Sequence, residues 1–299
     1  MTESHPLMSR QIQGYIEQIV SEHNQTQWAV TEFKDMNEFS SHPAAILSDG
    51  TYPVFAKFSS AENGLEQFRI ELDGLRLLSS EAGVLIPSLV ANMAVEGGFL
   101  LILEGVQAVE RTPKQWREIG KALAQIHRVK GAQFGLDSHN YFGPLYQDNR
   151  PDDSWPAFYA ERRLLPRMTG AINSGNLPTH LIRQLEGLIP RLPELCGPDV
   201  VPTLLHGDAQ QNNFISTEQG AMVIDPAVYY GHPEMDLAYI DYFQPVPDDV
   251  LEAYQEELPI DPGFYYRREL WRLYGYLAAV EVEGAIHLDK LTEAIRKYT

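Results

Sequence analysis

The chain is almost without cysteine: Cys196 stands alone among 299 residues. A single thiol makes no internal disulfide, so a packed core must hold the chain, and a reducing, cytoplasmic setting is expected. Cys196 itself reads as a buried small hydrophobe. Basic residues are scarce as well, 23 Lys and Arg against 41 Asp and Glu, for a formal net charge of −18. A nucleic-acid backbone needs a basic face, so nucleic acid is excluded as a partner. Two readings of the acidity stay open: solubility, or a negative cleft that attracts a cationic, amine-bearing substrate. Long apolar runs are missing too. The longest, residues 84–95 and 99–103, are too short or are broken by Pro87, which excludes a membrane span. Residues 1–11 are polar and carry no signal-peptide pattern. No repeat or low-complexity tract interrupts the chain.

What is present suffices for two lobes. Apolar residues make up 44% of the chain, enough for a core in each. Ile12, Tyr15, Ile16 and Ile19 recur at helical spacing and predict an opening helix. Residues 52–58 alternate and read as a strand holding Lys57. Leu65, Phe68, Leu72 and Leu75 mark one face of a helix that also carries Glu71. Residues 99–103 fit a buried strand. After Gly105 the patterns turn helical. Thr112-Pro113-Lys114-Gln115 is a helix start, with a capping threonine, proline in the first turn and glutamine three residues after the cap. Trp116, Ile119, Leu123 and Ile126 continue that helix, and further helices are predicted near 181–189, 235–242 and 270–282. Residues 213–225 read as a hairpin turning at Gln219-Gly220. The expected architecture is α+β: a small sheet-rich lobe over 1–104, a connector near Glu104, and a larger helical lobe over 105–299. A site between the two lobes follows.

The strongest chemical signal is His206-Gly207-Asp208 with Asn213 five residues after the aspartate, then a hydrophobic hairpin ending in Ile224-Asp225-Pro226. Phosphoryl transfer from ATP needs a carboxylate to accept the proton of an incoming hydroxyl, and oxygen ligands to hold magnesium against the phosphates. Asp208 supplies the first; Asn213 and Asp225 supply the second. Magnesium takes only one or two carboxylates and fills its shell with phosphate and water. The competing reading makes Asp208 a turn cap and Asp225 a strand end. His206, beside the base, reads as a packed, hydrogen-bonded residue rather than a second base.

These motifs, with Ala227-Val228-Tyr229-Tyr230-Gly231-His232 and Glu234-Met235-Asp236-Leu237-Ala238 after them, resemble the fructosamine (ketosamine) kinases. That family belongs to the aminoglycoside-phosphotransferase-like branch of the protein-kinase-like fold. Phe134-Gly135-Leu136-Asp137, Asn140-Tyr141-Phe142-Gly143 and the stretch from Trp155 to Pro166 are similar to its middle region. The resemblance implies the two-lobed kinase fold and a reaction with ATP and Mg²⁺. It implies that Lys57 contacts the ATP phosphates, that Glu71 pairs with Lys57, and that the backbone of Leu103-Glu104-Gly105 holds adenine. It gives Asp236 the role of anchoring the catalytic loop. The implied acceptor is a small amine–sugar adduct, free or on a glycated protein lysine. An aminoglycoside, choline-like amine or plain sugar is the alternative acceptor. A nucleotide-binding pseudoenzyme is the reading from another class.

The chain departs from the family in three places. No G-x-G-x-x-G loop precedes Lys57; Asn37-Glu38-Phe39-Ser40-Ser41-His42-Pro43 stands there. Ala209-Gln210-Gln211-Asn212 replaces the family's Leu-Trp-Ser-Gly, so an amide stands where an aromatic face would meet a sugar. The His- and Asn-rich stretch of the last long helix is Ala278-Ala279-Val280-Glu281-Val282-Glu283 here. Glu281 and Glu283 are two residues apart, so at most one of them faces an acceptor.

Overall fold

The computed structural model describes residues 5–40 and 42–299. Met1–Ser4 of the polar opening stretch, and Ser41 of the segment before Lys57, lie outside the described residues.

The N-terminal lobe is a five-stranded antiparallel sheet in the order β1-β2-β3-β5-β4. The strands are β1 (Glu32–Asp35), β2 (Ala44–Ser48), β3 (Pro53–Ser59), β4 (Leu89–Val95) and β5 (Gly98–Glu104). Helix α1 (Arg10–Asn24) is capped by Ser9, whose hydroxyl accepts the Ile12 amide, and it buries Ile12, Ile16 and Val20. Strand alternation sends Val54, Ala56, Phe58, Leu100 and Ile102 to meet that helix. The opposite face carries Phe55, Leu101 and Leu103 toward Phe68 and Leu72 of α2 (Gly64–Ala82). Lys57 shares this second face by parity, which places it between the sheet and α2. The strand starts one residue later than the pattern predicted, at Pro53.

The C-terminal lobe begins after the connector with α3 (Pro113–Arg128). That helix starts where predicted, but the Thr112 side chain makes no cap bond to the backbone. Its hydroxyl donates instead to the Gln115 side chain, so the two polar residues satisfy each other. Then come the hairpin β6 (Asn140–Phe142) and β7 (Leu145–Gln147), α4 (Trp155–Tyr159), a π-helical turn at Ala160–Leu164, and α5 (Leu165–Asn173). Helices α6 (Thr179–Leu188) and α7 (Leu192–Leu195) lead to β8 (Thr203–Leu205). The hairpin β9 (Phe214–Thr217) and β10 (Gly220–Val223) follows; its two-residue turn is Glu218-Gln219, one residue earlier than expected, because Thr217 pairs with Gly220. Strand β11 (Tyr229–Gly231) pairs antiparallel with β8. Helices α8 (Glu234–Tyr239), α9 (Asp249–Gln255), α10 (Phe264–Glu283) and α11 (Leu288–Arg296) complete the lobe.

Its core runs from α3 through Trp155, Tyr159 and Phe214 to Trp271 on α10. Cys196 is buried there, and burial pushes its thiol up to about 12. Among the described residues no helix is long and apolar enough to cross a membrane.

Candidate active site

Strands β8 and β11 lie side by side, so the turns that leave β8 and enter β11 converge. The first holds His206-Gly207-Asp208, the second Asp225-Pro226-Ala227. Gly207 has φ +83°, and a Cβ there would sit 2.0 Å from the Ala227 carbonyl oxygen, so no other residue fits this contact. Asp236, on α8 and 1% exposed, accepts the His206 and Gly207 amides at 2.7 and 3.0 Å and the His127 Nε2 at 3.1 Å. It ties the loop to the helix. His206 is fully buried. Its Nδ1 accepts the Asp208 amide, and its Nε2 donates to the Ile224 carbonyl. Those partners fix a neutral imidazole, and burial lowers its pKa. His206 is therefore the packed residue expected from sequence.

Asp208 projects from this turn into the cleft. Asn213 Nδ2 donates to its backbone oxygen at 2.8 Å and to Oδ2 at 3.2 Å. Gln210 Nε2 donates to both carboxylate oxygens, at 3.3 and 3.1 Å. Burial pushes the Asp208 carboxyl up to about 7; the Gln210 hydrogen bond opposes the shift and the Asp225 charge adds to it. The Gln210 contact with Asp208 was not legible in the sequence, where that residue read as an amide standing toward the acceptor in place of a stacking face.

Lys57 is 3% exposed and joins the two lobes. Its Nζ lies 2.9 Å from each Glu71 oxygen on α2 and 2.5 Å from Asp225 Oδ1. Burial opposes the ammonium charge, but Asp225 and then Glu71 outweigh it and hold the pKa above its ordinary value. Asp225 is lowered: burial acts to raise it, and the adjacent Lys57 prevails. Glu71 is pushed up to about 7 by burial, against Lys57. One ammonium thus sits against two carboxylates where the two lobes meet. Asp225 also has φ +51°, a left-handed backbone uncommon for a residue with a side chain.

Lys57, Glu71, Asp208, Asn213 and Asp225 all line one cleft of about 810 Å³ between the lobes. The β1–β2 segment forms its roof, and Lys34, Met36 and His42 reach into it. Among the described residues of that segment, three backbone amides go to its own side chains. Asp35 accepts the Asn37 amide, Ser40 accepts that of His42, and Asn37 accepts that of Ala44. His42 also bonds Gln67 of α2. A polar, side-chain-braced turn thus stands in place of a glycine loop.

The connector residues do not enter this cleft. Leu103 is buried between the sheet and α2, and Glu104 and Gly105 line a second cavity of about 420 Å³ beside Met222. The two glutamates of α10 separate as their spacing required. Glu281 pairs with Arg167 at 3.0 Å, while Glu283 lines the cleft with Tyr141 and Phe243.

Three supports of the site have no signature in the sequence. Arg111 donates to the Gln211 and Phe214 carbonyls and pins the loop from below. Asn140 donates to the Val228 carbonyl, and Gln147 holds Asn140 and the Ala227 carbonyl. No local pattern marks such long-range bonds, although Asn140 lay inside a motif already noted.

Among the described residues no group of three or more His, Cys, Asp or Glu is placed to hold a metal alone. The donor set instead fits magnesium bound together with a nucleotide. Asn213 spends its amide nitrogen on Asp208, which leaves its side-chain oxygen, with the Asp225 carboxylate, as oxygen donors of the kind such an ion takes.

The fructosamine kinase family model matches residues 12–299. A probable ketoamine kinase of Pasteurella multocida is 28% identical over 93% of this chain and 96% of its own length. Mouse ketosamine-3-kinase is 32% identical over 78% of this chain and 73% of its own. A crystal structure of a candidate fructosamine-3-kinase from Thermobifida fusca superposes with a TM-score of 0.81 at 29% identity, covering 95% of this chain and 98% of that one. The aminoglycoside phosphotransferase APH(4)-Ia shares the fold, with a TM-score of 0.61 at 15% identity over 96% of this chain and 99% of that one.

Proposed function

The chain belongs to the fructosamine kinase family, and from that premise we propose that it transfers the γ-phosphate of ATP to a hydroxyl of a ketosamine. One observation carries the reading: Lys57, Glu71 and Asp225 form one ion network across the lobes, beside the hydrogen-bonded pair Asp208 and Asn213, in one cleft.

Asp208 is assigned as the general base for the acceptor hydroxyl. Its position on a hydrogen-bonded loop supports this, and its raised pKa suits proton acceptance near neutral pH. Asn213 and Asp225 are assigned to Mg²⁺. The ion supplies positive charge to the phosphates when bound. Lys57, held by Glu71, is assigned to the ATP phosphates. The adenine is assigned to the connector at Leu103, Glu104 and Gly105. The Glu104 and Gly105 amides already donate to the Ser88 and Pro53 carbonyls, so neither is left to donate to an adenine nitrogen. In this assignment residues 1–104 form the nucleotide lobe and 105–299 carry the base, the metal ligands and the acceptor site.

A panel of phosphate acceptors with Mg-ATP and purified protein tests the reading. It includes free ketosamines, a glycated protein, an aminoglycoside, choline and a plain sugar. ATP-dependent phosphorylation of a ketosamine, free or on protein lysine, is the expected result. Turnover of another acceptor with none of any ketosamine would reassign the substrate, and absence of Mg-dependent turnover on all of them would favour a nucleotide-binding pseudoenzyme.

A further inference from the structure

The carboxylate that must take the acceptor's proton already has a hydrogen-bond donor across both oxygens. Gln210 Nε2 lies 3.3 Å from Asp208 Oδ1 and 3.1 Å from Oδ2, while Asn213 holds only Oδ2. Gln210 follows Asp208 by two residues in an extended conformation, lines the cleft, and is only partly buried. Its side chain therefore stands where an acceptor hydroxyl would donate. Nothing else in its hydrogen bonding ties it there. Its backbone carbonyl accepts the Asn213 amide, which fixes the loop and leaves the side chain able to turn away.

We propose that Gln210 screens the catalytic base from water and yields it to a bound acceptor, so that it sets the preference for transfer over hydrolysis. The proposal rests on the kinase reading given above. Both reactions start alike. A hydroxyl oxygen forms a bond to the γ-phosphorus, and the bond from that phosphorus to the β,γ-bridging oxygen breaks with its electron pair leaving on ADP. The hydroxyl proton goes to Asp208. With an acceptor the product is its phosphate ester; with water it is inorganic phosphate. A free water must compete with a donor tethered two residues from the base. An acceptor held by the rest of the cleft presents its hydroxyl at a far higher effective concentration than an unheld molecule and displaces the amide. Once displaced, the carboxamide still carries a donor and an acceptor for a neighbouring oxygen of the acceptor.

The test measures Mg-ATP hydrolysis without any acceptor in the wild type, Gln210→Ala and Gln210→Met. Methionine keeps the length of the side chain and removes the donor. Hydrolysis is expected to rise roughly fivefold in both variants, the factor that corresponds to one net hydrogen bond, with the KM for ATP unchanged. Adding Asp208→Asn to Gln210→Ala is expected to remove the gain. Unchanged or slower hydrolysis in both single variants overturns the proposal, as does a gain that survives loss of Asp208. The readout needs no acceptor. A wild type that phosphorylates no ketosamine while the variants gain hydrolysis would sink the substrate assignment and support the screening role. Ketosamine turnover with no gain in hydrolysis would do the reverse.

Discussion

Asp208 is held from three sides: Asn213 and Gln210 donate to it, and the His206 ring accepts its amide. A carboxylate so restrained is positioned without help from substrate. Replacing it by asparagine keeps the volume and removes the proton acceptor. Asp208→Asn is expected to lower turnover by about 10²–10⁴-fold while ATP binding stays near wild type. Steady-state kinetics with nucleotide titration checks this, and near-wild-type turnover would disprove the assignment of the base. Asp225 carries a second prediction. It is bonded to Lys57, so Asp225→Ala removes a magnesium ligand and also leaves the ammonium with Glu71 alone. Nucleotide affinity in the variant should no longer depend on Mg²⁺, as titration with a non-hydrolysable ATP analogue would show. Both residues stood out in the sequence because a carboxylate's type and spacing can be read without the fold. Gln210's bond to the base was not, since a polar side chain two residues from a carboxylate has many conformations and only the folded loop selects one.

Among the elements, helix α10 shows best what spacing decides. Residues two apart on a helix point to different sides, and Glu281 and Glu283 have different fates. Glu281 is drawn toward α5, where it pairs with Arg167; burial raises its carboxyl and Arg167 opposes the shift. Glu283 stands at the helix end on the cleft wall, bonded to His287. Glu281→Gln should lower the melting temperature, because Arg167 is 8% exposed and loses its carboxylate partner. Glu283→Gln should leave stability alone and raise KM several-fold for a ketosamine whose amine part is cationic, with little change for a neutral one. Equal KM changes for the two acceptors would show that Glu283 does not read charge. The sequence restricted the choice to one glutamate; only the α5 contact says which. The β1–β2 roof is the element least legible beforehand. The missing glycines were plain, but not the bracing by Asp35, Asn37, Ser40 and Gln67 that replaces them.

At the scale of the whole molecule, the order of lobes followed from the switch of hydrophobic period after Gly105, because period reports which face each element buries. The destination of the net charge did not follow. The cleft mixes Lys34, Lys57 and Arg111 with Glu38, Glu71, Asp208, Asp225 and Glu283, an acidic excess that composition alone could not place. Burial also ties stability to pH across the fold. His232 lies 3% exposed in the C-terminal lobe against Trp271, with ring centroids 5.0 Å apart. Its Nδ1 accepts the Glu234 amide, and its Nε2 has no hydrogen-bond partner. Burial, aided by the Arg267 charge, lowers its pKa to about 3. The unfolded chain binds this proton near pH 6.5 and the folded chain does not, so His232 supports the fold above pH 6.5. That support drains away as pH falls toward 3, by about 2 kcal/mol between pH 7 and pH 5. Asp208 and Glu71 act in the opposite sense. Their folded values, raised to about 7, favour the folded state at low pH and withdraw that support as pH rises through 7. The raw melting curve therefore sums opposing terms, and the informative quantity is a difference between proteins. His232→Asn is expected to flatten the fall of melting temperature between pH 7 and pH 5 relative to wild type, whatever it costs at pH 7. Parallel curves for the two proteins across that interval would mean that His232 takes up its proton in the folded state as readily as in the unfolded chain.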